Sequence, residues 1–176
     1  MAERGAESDA SRWGALKPLR IDLDEVAAAI DHLDRSETDH FLDLENGEVI
    51  TLSTALLEAV RGGLDLEDTD LPEWVLDDEP LARDAVGDPH GKRYLRIPEG
   101  TWIDMGEMRV RFVRAIKTLG LLQQFAEAAT IHDGGKRFGE LLKTHPDLST
   151  AWYRFEARQK QEWAREWLAR IGIEAV

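Results

Sequence analysis

A chain of 176 residues has the length of one ordinary domain and can bury a hydrophobic core without any covalent staple. It contains no cysteine, which excludes a disulfide framework, a thiolate nucleophile and Cys-based zinc or iron–sulfur sites, and fits a reducing compartment. A formal net charge of −13 excludes a surface that is basic throughout, the usual footprint for nucleic acid.

The first twenty residues are rich in Ala, Gly, Ser and charge and carry no periodic apolar pattern, so residues 1–20 are expected to be a mobile N-terminal tail. That tail has no apolar run of the signal-peptide kind, and no stretch of the chain approaches the roughly 20 apolar residues of a membrane-spanning helix. The expectation is a cytoplasmic protein with no membrane association. Residues 21–176 are expected to form a single α+β domain. Asp22 followed by Glu25 is a capping-box spacing that starts a helix with Val26, Ile30 and Leu33 on its apolar stripe. FLDLENGEVITL at 41–52 reads as a β-hairpin with Asn46-Gly47 in a type I′ turn. In that register Leu44 faces Val49, and Leu42, Leu44, Val49 and Thr51 form the core face. Ser53 or Thr54 caps a short helix that Gly62-Gly63 ends.

Residues 65–90 are expected to be acidic and loop-rich, because Asp65 to Asp88 holds ten acids against one base and Pro72, Pro80 and Pro89 punctuate the segment. Trp74, Val75 and Leu76 are its apolar anchor. KRYLRIP at 92–98 is a third strand. Asp104 and Glu107 repeat the capping-box spacing ahead of a stripe of Met105, Met108, Phe112, Ile116 and Leu119 that ends at Gly120. A helix over 121–129, a glycine turn at 133–135 and a short helix before His145-Pro146 follow. Trp152, Phe155, Gln159, Trp163, Trp167 and Ile171 mark one long final helix, stopped by Gly172.

Few residues carry chemistry. Asp43, Glu45 and Glu48 at the hairpin tip are the candidate carboxylates for a hard cation such as Mg²⁺, and a solvated turn is the competing reading. His32, His40, His90, His132 and His145 never fall two to four apart, so no single element preforms a metal-ligating pair. His132-Asp133 is considered as an oriented base, but no nucleophile lies near it in sequence. Gly134-Gly135-Lys136 lacks the other residues of a phosphate loop and reads as a helix-linking turn. No catalytic residue and no cofactor is assigned.

The charge is segregated, with −17 in residues 1–90 and +4 in residues 91–176. The last helix interleaves aromatics with bases, and Arg154, Arg158, Trp163, Arg165 and Trp167, with Lys136 and Arg137, form the candidate interaction surface. Its competing reading is a core stripe backed by ordinary salt bridges such as Glu166 to Arg170. The preferred function is a non-catalytic protein-interaction or regulatory domain, with a protein partner and an open option of self-association. Two alternatives stand beside it: nucleic-acid association through the basic C-terminal half, and metal-assisted hydrolysis at the hairpin carboxylates.

The succession of FLDLENGEV, KRYLRIP, KRFGELL and AWYRFEARQKQEWAREWLARIGIE resembles the bacterial uncharacterised protein family 0158, over roughly Ile21 to Glu174. The resemblance implies a bacterial protein. It also implies a Phe-x-x-Phe pattern entering the penultimate helix, where Phe138 matches the second aromatic and Gly135 stands in place of the first. It assigns no catalytic residue, cofactor or substrate.

Overall fold

The structure is a computed structural model that describes residues 16–130 and 134–176. They divide into two compact units: the described residues up to Glu99 together with Glu162–Val176, and Gly100–Gln161. In chain order the elements are β1 (Lys17–Leu19), α1 (Leu23–Asp31), β2 (Thr38–Asp43), β3 (Val49–Ser53), α2 (Thr54–Arg61), α3 (Glu73–Leu76) and α4 (Glu79–Gly87). They continue with β4 (Tyr94–Arg96), α5 (Met105–Val113), α6 (Leu119–Thr130), α7 (Gly134–Thr144), α8 (Pro146–Arg170) and β5 (Ile173–Ala175). The α+β class is as expected, with helices filling the C-terminal half.

Three local signals place elements in the first unit where the sequence puts them. The Asp22 carboxylate accepts the N–H groups of Asp24 and Glu25 and opens α1. Ser53 Oγ accepts the Leu56 N–H and opens α2. Gly63, at φ +67°, closes α2 through bonds from the Gly63 N–H to the Val60 carbonyl and from the Leu64 N–H to the Ala59 carbonyl. The expected tail ends earlier than residue 20, because Lys17–Leu19 pairs in parallel with Ile173–Ala175. Three residues with one apolar side chain carry no periodic signal; the strand exists because a distant segment supplies its hydrogen bonds.

The antiparallel sheet has the order β3-β2-β4, so the expected hairpin and third strand are both present. Its register differs from expectation: Leu42, not Leu44, faces Val49. The connection is a four-residue loop rather than a type I′ turn. The Asp43 carbonyl accepts the Gly47 N–H at 2.8 Å, Asp43 Oδ1 accepts the Glu45 N–H at 2.8 Å, and Asn46 Oδ1 accepts the Glu48 N–H at 2.9 Å. Gly47 alone in this loop takes a positive φ, +82°.

A slip of two residues leaves every side chain on its own face. The other face is covered as well: Phe41, Leu52 and Tyr94 cluster with Leu56, Leu57, Leu66, Val75, Ala82 and Ala85, and Ile50 packs against them. The opposite face borders α1, since Ala28 and Ala29 share a cleft with His40, Val49 and Thr51. Leu42 is fully buried as well as Phe41, so alternation along the strand could not tell the two sides apart.

The acidic segment is more regular than its composition predicts. Pro72 stands at the cap of α3 and Pro80 within the first turn of α4, positions where a missing N–H costs no helical bond. Val75 and Ala82 anchor the segment, while Trp74 is 73% exposed and is not an anchor.

In the second unit Asp104 caps α5 by accepting the N–H groups of Gly106 and Glu107. That helix stops at Val113, and Gly120 lies inside α6 rather than ending α5. The first bond of α6 runs from the Leu122 N–H to the Thr118 carbonyl, which makes Thr118 its cap. The glycine turn expected at 133–135 is corrected in part: Gly134 and Gly135 belong to the first turn of α7. Phe112, Phe125, Phe138 and Trp152 fill the core of this unit, with Phe138 4.9 Å from Trp152 and 5.2 Å from Phe125 between ring centres.

Candidate functional site

The hairpin carboxylates do not converge on a cation position. Asp43 is 2% exposed and is spent on local contacts: Arg93 Nη2 donates to it at 3.0 Å, alongside the Glu45 N–H. Burial works against the charge on Asp43, but the bonds from Arg93 and the backbone outweigh it and hold the carboxyl below its usual range. Glu45 is exposed and pairs with the same Arg93 at 3.2 Å, and Glu48 accepts from Asn46 Nδ2 at 2.8 Å. The tip is a structural ion-pair cluster. Among the described residues no group of three His, Cys, Asp or Glu side chains is placed to hold a metal.

Histidines come together where sequence spacing gave no warning. His32, just beyond the C-terminus of α1, and His40, in β2, place Nδ1 and Nε2 2.8 Å apart. His40 Nδ1 is in turn 2.8 Å from Thr51 Oγ1, its cross-strand partner on β3. The rings meet edge to face with centres 5.1 Å apart. They open into a cleft of about 370 Å³ that Glu25, Ala28, Ala29 and Val49 also line. Burial first, then the nearby charges of Arg35 and His32, push the His40 pKa down to about 4, so the ring is neutral at physiological pH. Arg35 is itself matched, at 3.4 Å, by Asp39, which also pairs with Arg96. The only sequence signal for this pair was that the two histidines flank the α1–β2 connection.

The proposed interaction residues separate into groups. Arg154 and Arg158 lie exposed on α8 in the second unit, where with Ala151 and Ala157 they line an open groove of about 570 Å³. Neither arginine has an ion-pair partner among the described residues, whereas Lys160 pairs with Glu156 at 2.8 Å and Arg170 with Glu166 at 4.0 Å. Exposed Tyr153 adjoins the groove in sequence. Lys136 and Arg137 are exposed on α7, with Arg137 3.7 Å from Glu127. In the first unit Trp167 is buried at 9% exposure and Trp163 is half-buried, so both serve packing, while Arg165 is exposed. His132 and Asp133 lie outside the described residues. At Gly135 the Arg109 guanidinium stands 3.5 Å from where a Cβ would sit, occupying space that an aromatic side chain would enter.

Fold and surfaces together define an α+β protein with a buried ion-paired hairpin, a histidine cleft on its sheet and an arginine-lined groove on its last helix. The chain belongs to the uncharacterised protein family UPF0158, whose model matches residues 16–176. The match extends beyond the four sequence segments that suggested it and takes in both β1 and β5. The chain is 31% identical over 154 residues to the UPF0158 protein PA5073 of Pseudomonas aeruginosa, which covers 87% of this chain and 84% of that one. No solved structure matches it. No helix among the described residues is long and apolar enough to cross a membrane.

Proposed function

We propose that this protein is a non-catalytic interaction domain that docks an acidic, partly apolar segment of another protein in the α8 groove. The observation that carries this reading is the pair Arg154 and Arg158, exposed one turn apart on α8 beside Ala151 and Ala157 and without ion-pair partners among the described residues. Alanine lets a partner backbone approach the helix closely, and two free guanidiniums supply bidentate donors for carboxylates. A protein partner is favoured over nucleic acid because two free arginines neutralise few phosphates, whereas they suffice for a pair of carboxylates.

The test uses the full chain and two fluorescent probes, an amphipathic Glu/Leu helical peptide and an oligo-dT single strand, read by anisotropy at two salt concentrations. The expected result is salt-sensitive peptide binding that the double substitution R154E/R158E abolishes, with no competition from oligo-dT. Oligo-dT binding through the same arginines would replace this reading with the nucleic-acid one. Binding of neither probe would leave the arginines as a solvated face and overturn the proposal.

A further inference from the structure

We infer that His32 and His40 form a binding site for a borderline divalent transition metal such as Zn²⁺ or Ni²⁺, in the cleft between α1 and the β2–β3 strands. The site is independent of the α8 groove and belongs to the other compact unit.

The geometry is that of an imidazole pair with its supporting contact already in place. In the tautomer that binds metal, His40 Nδ1–H donates to Thr51 Oγ1, 2.8 Å away, and the Nε2 lone pair is left on the side of His32 Nδ1. A ligating histidine characteristically uses its second ring nitrogen in this way, for a hydrogen bond that fixes ring orientation. Without metal, the His32 Nδ1–H donates to the His40 Nε2 lone pair across 2.8 Å. When metal binds, that proton moves to His32 Nε2, so His32 Nδ1 and His40 Nε2 both present lone pairs to the ion.

Two nitrogens on a tetrahedral zinc at about 2.0–2.1 Å from the metal stand roughly 3.3 Å apart. The observed separation is 2.8 Å. The rings therefore need to spread by about 0.5 Å and turn toward the open cleft to reach that spacing. His32 lies beyond the end of α1, where a small side-chain rotation disturbs no helical bond.

The remaining coordination positions go to water, since among the described residues no third His, Asp or Glu is placed to ligate directly. Glu25 lines the same cleft and adds a negative charge that favours a cation there. Arg35 opposes a cation here, and its ion pair with Asp39 offsets that charge only in part. Nitrogen ligands select Zn²⁺, Ni²⁺ or Cu²⁺ over Mg²⁺ and Ca²⁺, which prefer oxygen cages.

The experiment titrates tag-free full-length protein with ZnCl₂, and separately with MgCl₂, by calorimetry, while ¹⁵N-detected NMR follows the histidine ring nitrogens. Expected are one equivalent of Zn²⁺, movement of His32 Nδ1 and His40 Nε2, no response to Mg²⁺, and affinity weakened at least about tenfold in H32Q and in H40Q. H90Q and H145Q serve as binding controls, and thermal melts establish that each variant is folded. T51V keeps both ligands but loses the orienting acceptor, and is expected to bind more weakly than wild type. Ring resonances of His32 and His40 that stay fixed at one equivalent of Zn²⁺, or undiminished binding by folded H32Q, would overturn the assignment.

Discussion

Gly47 is the residue on which the hairpin loop depends, and replacing it with alanine tests both the loop and its contact with the segment before α1. Gly47 has φ +82°, and an added Cβ would overlap the backbone carbonyl oxygen of Arg20 and come within 3.1 Å of Ile21 Cγ1. The left-handed conformation costs an L-residue about 1–2 kcal/mol. Overlap with a backbone atom cannot be relieved by a rotamer change, and overpacking of this kind costs about 1–3 kcal/mol more. Gly63 supplies the internal control, because it has φ +67° and nothing within 4 Å of its added Cβ, so Gly63→Ala carries the backbone cost alone. The assay is urea unfolding followed by tryptophan fluorescence and far-UV circular dichroism on the full chain. Gly47→Ala is expected to exceed Gly63→Ala in destabilisation by about 1–3 kcal/mol. Equal losses for the two variants would refute the close approach of residue 47 to Arg20 and, with it, the four-residue loop.

Asp43→Asn is expected to lower stability at pH 7 by about 1–3 kcal/mol, an estimate kept modest because Arg93 is 44% exposed and can rehydrate. The folded-state carboxyl is held below its ordinary 3.8, so its contribution is complete above that value and disappears as pH falls through the lowered one. Chemical denaturation of wild type and variant from pH 6 to pH 2 should show the gap narrowing only below about pH 4; a gap independent of pH would remove the ion pair from the explanation. Phe138→Ala empties a site that is 2% exposed and is expected to cost about 3–5 kcal/mol in urea unfolding, against less than about 0.5 kcal/mol for Tyr153→Ala at 63% exposure. Leu52→Ala, at 1% exposure in the core cluster, should cost about 2–5 kcal/mol, well above Val49→Ala at a half-buried position; the reverse order would overturn the packing of Leu52 in that cluster.

What the sequence by itself determined were features whose causes lie within a few residues. Asp22, Ser53 and Asp104 start helices because their side chains reach N–H groups two or three positions ahead, and Gly63 ends α2 because its own backbone must turn left-handed. The three-stranded sheet, the long last helix and the family resemblance were legible for the same reason, as patterns carried by contiguous segments. Only the tertiary structure decided that both faces of β2 are covered, since Phe41 and Leu42 are both buried and the residues that cluster with Phe41 come from α2, α4 and β4. The same holds for β1, whose hydrogen-bond partners lie at the far end of the chain. The arginines of α8 were visible as residue types, but their lack of ion-pair partners depends on where every carboxylate around them ends up. The histidine cleft is the clearest case. His32 and His40 are eight positions apart, on a helix end and a strand, and only the turn between those elements brings their nitrogens within hydrogen-bond distance.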